Sequence, residues 1–261
     1  MKIKNLFLAA TLIAFLSTAL FSQGLIQYPV AGLKLKIEQY DGNNGAAVVF
    51  NPEEQLYYTV FAGNADYPLE TFDRSGNNVY QSTPRIDMRG MWWNPKAGAL
   101  EGNCYQDGGI VSFAMTEEGY AIAMDQTIFY GAEHQPDDNS VGVFDSKAKE
   151  ILYFSIGAVV GFSRKSGKMG KTYVIPYLPV DLENINWNSM IFTGVEGMEY
   201  GLLDFVEKKV YLFDKKTWYQ TGTVNLPKSV PTYEGYNFSF ANGSIFLYNK
   251  DNREWVGYRI F

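Results

Sequence analysis

A short strand-and-turn unit that returns at near-constant spacing constrains this chain more than any other feature. Its clearest copy is Val48 to Gln81, VVFNPEEQLYYTVFAGNADYPLETFDRSGNNVYQ. Val48 to Phe50 stops at Asn51-Pro52, Leu56 to Phe61 at Gly63-Asn64 and Leu69 to Phe72 at Asp73 to Gly76, with Val79 to Gln81 following. Each apolar run is too short for a helix and rich in Val, Tyr, Phe and Thr, which suit strands. Pro52 lacks a donor, and Gly63 and Gly76 tolerate positive φ where a chain reverses. The unit therefore reads as a four-stranded antiparallel meander.

The ending of its first strand can be tracked. VFNP at 49–52 returns as WWNP at 92–95, VFDS at 143–146, IFTG at 191–194 and SFAN at 239–242. Between the aromatic residues at their second position, 50, 93, 144, 192 and 240, the steps are 43, 51, 48 and 48. A second marker holds its offset: Phe72, Phe113, Phe162, Phe213 and Tyr258 follow the first by 22, 20, 18, 21 and 18 residues. A repeat of this length built from short strands indicates a propeller.

The last unit runs out at Phe261 with three strands. An open ring would expose sheet edges that propellers avoid by closing. The segment Gly32 to Tyr40, GLKLKIEQY, alternates apolar and charged residues and lacks a partner repeat. The expectation is an all-β, five-bladed β-propeller in which this N-terminal strand completes the last blade. A six-bladed ring is the alternative, with Gln126 to Asn139 or Ile156 to Lys171 parsed as a partial extra blade.

The succession of strand, Asn-Pro or Asp-Ser turn, strand and then Phe72-Asp-Arg-Ser-Gly76 resembles NHL-repeat and gluconolactonase-type propeller blades. The resemblance covers the opening unit and Val141 to Pro176, and it implies an architecture. For the gluconolactonase type it would also imply a divalent ion held in the channel by Glu, Asn and Asp of the innermost strands. Those positions here are Val48, Val49, Met91, Trp92, Val141, Val143, Met190, Ile191, Phe238 and Phe240. An apolar lining departs from that pattern, so no catalytic residue is carried over.

Lys2 and Lys4 precede an apolar run from Leu6 to Phe21, with Ser22 before Gln23. This is the pattern of a secretory signal peptide, residues 1–22, leaving 23–261 as a single propeller domain. A retained membrane anchor is the competing reading. Export implies a periplasmic, cell-surface-associated or secreted protein. Cleavage would move the formal charge from −6 to −8, because two lysines leave and no acid does. An acidic chain without a basic run argues against nucleic acid. Cys104 is the sole cysteine, so stability must come from a core, for which 46% hydrophobic residues suffice.

Propellers bind ligands through the channel or the connections between blades, where this sequence offers Tyr67, Arg85, Asp87, Asp107, Trp187 and Tyr233 as ligand or partner contacts. Segments 82–88, 125–139 and 177–188 carry most of the variation. His134 is the only histidine, so a histidine-based triad or zinc site lacks partners. Asp137-Asp138-Asn139 offers oxygen ligands to calcium without EF-hand spacing. Asp87, Asp107, Glu196 and Glu234 are the carboxylates a glycosidase could draw on. Trp92-Trp93 reads as packing between blades. Asn237 and Asn242 begin glycosylation sequons, the second equally an Asn-Gly hairpin turn. The expected function is a non-enzymatic propeller without cofactor that binds a protein or glycan partner, as an accessory of a cell-envelope assembly. The alternative is a metal-dependent lactonase or glycosidase, with calcium, acting at the channel.

Overall fold

The computed structural model describes residues 24–37 and 44–261. The signal-peptide reading of residues 1–22 lies outside them, as does the end of the Gly32 to Tyr40 segment. Two strands precede the first repeat, β1 (Gly24–Gln27) and β2 (Ala31–Lys36). The first blade is β3 (Asn44–Asn51), β4 (Leu56–Ala62), β5 (Leu69–Phe72) and β6 (Asn78–Ser82). The second is β7 (Met88–Asn94), β8 (Ala99–Cys104), β9 (Ile110–Met115) and β10 (Ala121–Phe129). The third is β11 (Val143–Asp145), β12 (Glu150–Ser155), β13 (Ala158–Ser163) and β14 (Met169–Val174). The fourth is β15 (Ile191–Phe192), β16 (Tyr200–Asp204), β17 (Lys209–Phe213) and β18 (Gln220–Asn225). The last repeat gives β19 (Phe238–Ala241), β20 (Ser244–Asn249) and β21 (Glu254–Arg259).

Five antiparallel sheets form a five-bladed propeller, which settles the blade number. The fifth sheet has the order β19-β20-β21-β2, so the N-terminal strand closes the ring. Its register places Ala31 opposite Tyr258, Leu35 opposite Trp255 and Lys36 opposite Glu254. Lys34 adds a 3.0 Å ion pair to Glu254.

Two details differ from the sequence reading. The strand β1 lies parallel to β18 as a fifth strand of the fourth blade, pairing Gly24 with Gly222 through Gln27 with Asn225. No repeat anticipates it. The strand β10 runs to Phe129 through three register shifts, so the connection placed at 125–139 begins only after that residue. Bulges let a strand of mixed exposure stay paired while its twist increases.

The inner strands end in side-chain-capped turns, which explains the marker. Asn51 accepts the backbone N–H of Glu53 at 2.9 Å, Asn94 that of Lys96 at 3.1 Å, and Asp145 those of Lys147 and Ala148 at 3.0 Å each. These are Asx turns, in which the side chain stands in for the next backbone acceptor. The last blade substitutes an Asn-Gly turn with φ of 47° at Asn242 and 74° at Gly243, the primed hairpin geometry that glycine allows.

The core is divided among the seams. Five apolar clusters occur among the described residues, each shared by two neighbouring blades. On β20, Ile245 and Leu247 face the fourth blade while Phe246 and Tyr248 face the first. On β12, Ile151 and Tyr153 face the second blade while Leu152 and Phe154 face the fourth. Both faces of the middle strands are buried, which is why they read as unbroken apolar runs. Leu35 and Ile37 bring the closing strand into the seam between the fifth and first blades, each fully buried. Such a side chain contributes about 1.5–3 kcal/mol. No helix among the described residues is long and apolar enough to cross a membrane.

Candidate functional site

All inner strands run the same way along the channel, which gives the ring two unlike faces. The entry face, where inner strands begin, carries the connections between blades and the turns between second and third strands. The exit face carries the remaining turns. Tyr67, Arg85, Asp87, Asp107, Trp187 and Tyr233 all fall in entry-face segments.

Two of these six are brought together in a basin of about 550 Å³. Trp187 and Tyr233 line it with Phe205, Glu234, Tyr236 and Lys250. Trp187 is 45% exposed, a large apolar surface for a side chain so firmly held. Its backbone N–H donates to Glu234 O at 2.8 Å. The flanking Asn186 donates to Tyr233 O at 3.1 Å and Tyr236 O at 2.9 Å, and Asn188 accepts from Tyr236 N at 2.9 Å. Two buried amides thus clamp the 233–236 loop beside the indole. Gly235 leaves the indole its place, since a Cβ there would lie 2.6 Å from Nε1. The Tyr236 ring meets the indole edge-on, 6.3 Å between centroids. Lys250 Nζ lies 4.7 Å over the Tyr233 ring, and burial lowers its pKa.

The other four stand elsewhere on this face. Asp87 pairs with Arg89 and accepts Gly63 N at 2.8 Å. Tyr67 packs on the seam between the fifth and first blades. Arg85 is exposed with φ 57°. Asp107 is exposed, and its carbonyl accepts Gly131 N at 3.2 Å.

The entry end of the channel carries a polar group that sequence reasoning missed. Arg89 is buried, 4% exposed, between the rings of Tyr105 at 4.3 Å and Tyr236 at 6.0 Å. Arg89 Nε and the Tyr236 hydroxyl both donate to Asn139 Oδ1, at 3.3 and 2.9 Å. Asn188 donates to Asn139 O at 2.9 Å. Burial pushes the Tyr236 phenol up to about 12, so it remains a donor. The signal was a lone cation inside the apolar run MRGMWW.

At the exit end five aromatic rings, one per blade, surround a cavity of about 450 Å³: Phe50, Trp93, Phe144, Phe192 and Phe240. All are half-buried. They are the residues by which the repeat was measured. The apolar channel positions named from the sequence line this cavity, except Val48, which turns into the seam between blades. Trp92 packs as expected, 5% exposed with Nε1 donating to Glu101 at 3.1 Å. Trp93 does not serve packing alone, because it joins the collar as well as leaning on the seam between the first and second blades.

The remaining chemical candidates have structural partners. His134 Nδ1 lies 2.8 Å from Gly167 O, with its ring 5.1 Å from that of Phe129. Asp137 accepts from Asn139 N at 2.8 Å and from Ser140 Oγ at 2.9 Å. Among the described residues no three His, Cys, Asp or Glu side chains converge as metal ligands would. Glu196, in the turn between β15 and β16, lies on the exit face against Lys216 at 3.2 Å, away from Asp87, Asp107 and Glu234. Asn237 is 2% exposed with its amide bonded to Gly45 N, so the first sequon is inaccessible in the folded chain.

The chain is similar in fold to solved propellers. Myxococcus xanthus glutaminyl cyclase matches with a TM-score of 0.57 at 11% identity, over 90% of this chain and 97% of that one. A Bacteroides uniformis protein described as a "putative 6-phosphogluconolactonase" matches with a TM-score of 0.43 at 15% identity, over 85% of this chain and 72% of that one. At 11% identity the likeness to the cyclase is one of fold alone. No family model and no curated protein matches the sequence.

Proposed function

We propose that this chain is an exported, non-enzymatic propeller that holds a glycan on its entry face, as an accessory component of a cell-envelope assembly. The observation that carries this reading is the exposed indole of Trp187, held rigidly beside Tyr233 over a basin of about 550 Å³. An aromatic platform binds the apolar face of a sugar ring with little loss of conformational freedom. Glu234 and Lys250 at the same basin supply an acceptor and a donor for hydroxyl groups. Export rests on the Lys2, Lys4 and Leu6 to Phe21 pattern.

Calorimetric titration of the purified mature chain with a panel of soluble envelope polysaccharide fragments tests the reading. One class should bind, and Trp187→Ala with Tyr233→Ala should abolish binding while the melting temperature stays unchanged. Binding that survives the double variant would sink it. Co-purification of one envelope protein, lost in the double variant and accompanied by no glycan binding, would replace the glycan with a protein partner. Stoichiometric calcium or zinc in the purified protein, with hydrolytic activity lost on its removal, would support the hydrolase alternative instead.

A further inference from the structure

The exit face holds a second pocket with different chemistry. The aromatic collar opens into walls of Val49, Met91, Val141, Met190, Ile191 and Phe238. Beside it lies a cavity of about 580 Å³ lined by Lys96, Lys149, Arg164 and Lys165. The two adjoin, because Pro95, Phe144 and Ser146 line both. Arg164 is committed to Glu101 through two 2.7 Å hydrogen bonds. Lys96, Lys149 and Lys165 take part in no ion pair among the described residues. Those three lysines make this part of the surface positive on a chain whose net charge is −6.

We propose that the exit face binds a single-chain anionic amphiphile, its apolar chain inside the aromatic collar and its carboxylate or phosphate head over Lys96, Lys149 and Lys165. A cavity walled by aromatic rings and aliphatic side chains rewards burial of an apolar chain, and its volume lies in the range of small-ligand sites. The lysines lie to one side of the collar, so a head group can reach them while the tail enters the axis. Neutral sugars gain nothing from them. This site is separate from the Trp187 basin, which lies on the opposite face.

Displacement of anilinonaphthalene sulfonate from the purified mature chain, followed by fluorescence, tests the proposal with dodecanoate, dodecyl phosphate and dodecanol as competitors. The expected result is saturable displacement by one or both anions at least about tenfold tighter than by dodecanol, the margin that about 1.4 kcal/mol provides. Which anion binds tighter identifies the head group. Lys149→Glu with Lys165→Glu should erase that margin, since both side chains are exposed and their reversal leaves the core intact. Phe192→Ala, in the collar on the fourth blade, should weaken all three competitors. Trp187→Ala should change none of them, which separates failure here from failure of the glycan reading. Absence of saturable displacement, equal affinity for dodecanol, or a lysine variant indistinguishable from the parent would overturn the proposal.

Discussion

Arg164 donates two 2.7 Å hydrogen bonds to the carboxylate of Glu101, joining the third blade's outer turn to a strand of the second across their seam. Glu101 is 1% exposed and also accepts from Trp92 Nε1 and Asn94 Nδ2, so every lobe of a buried anion is occupied. Planar, bidentate pairing suits arginine and not lysine. Arg164→Ala should cost about 3 kcal/mol by leaving a buried charge unpaired. Arg164→Lys should recover only part of it. Urea denaturation of both variants checks this, and a lysine variant as stable as the parent would show that the pairing geometry is unimportant.

Asp145 plays the matching part between the third and fourth blades, where it meets Lys215 and accepts from the Tyr200 hydroxyl at 3.3 Å. Burial pushes its carboxyl up, but the Lys215 ammonium and the backbone N–H groups of Ala148 and Lys147 outweigh burial and hold it below the ordinary value. A depressed folded-state pKa gives stability that is complete above the unfolded value and lost as pH falls through the folded one. Asp145→Asn should therefore be less stable at neutral pH and lose less stability than the parent between about pH 5 and about pH 2.5. Parallel urea midpoints for the two proteins across that range would contradict this assignment.

The closing strand makes the ring continuous. Deleting residues 23–39 removes the partner of β21 and takes Leu35 and Ile37 from the seam, a loss of roughly 3–6 kcal/mol from two buried side chains. The exposed edge of β21 should then drive aggregation. Light scattering and thermal melting report on it. A soluble, fully cooperative truncation would mean that closure comes from elsewhere.

Cys104 lies fully buried with Sγ 3.7 Å from Met88 Sδ. Burial, helped by the Asp87 charge, pushes its thiol up to about 12. Because the thiolate is the reactive form, the native protein should ignore a disulfide reagent at about pH 8 and react with one equivalent only in denaturant. Fast labelling of the folded chain would show that the site opens.

Much of the fold was legible because a propeller repeats its demands. Each blade needs an apolar inner strand, a capped turn and middle strands buried on both faces, so Phe50, Trp93, Phe144, Phe192 and Phe240 return at steps of 43 to 51 residues. The same periodicity concealed their second role. That Trp93 joins the collar while Trp92 also reaches Glu101 depends on strand register, and neither composition nor spacing reports it. Strand β1 was invisible for a related reason: pairing with β18 is a contact across some 200 residues that leaves no local pattern.

The entry face was read correctly as a set of connections and incompletely as a site. Trp187 and Tyr233 were legible as unusual residues in loops, but their meeting depends on the amides of Asn186 and Asn188, which look like ordinary loop asparagines until the 233–236 loop lies against them.

The sequence alone determined a β-propeller of five or six blades, the strand that closes it and the apolar character of its channel, because those follow from local strand pattern and repeat period, whereas the sheet pairing fixed the number at five. Only the tertiary structure decided that Arg89, Asn139 and Tyr236 gather at one end of that channel, and that five aromatic rings meet unpaired lysines at the other. Those groupings depend on which side of each strand faces the axis and on which blades become neighbours once the ring closes.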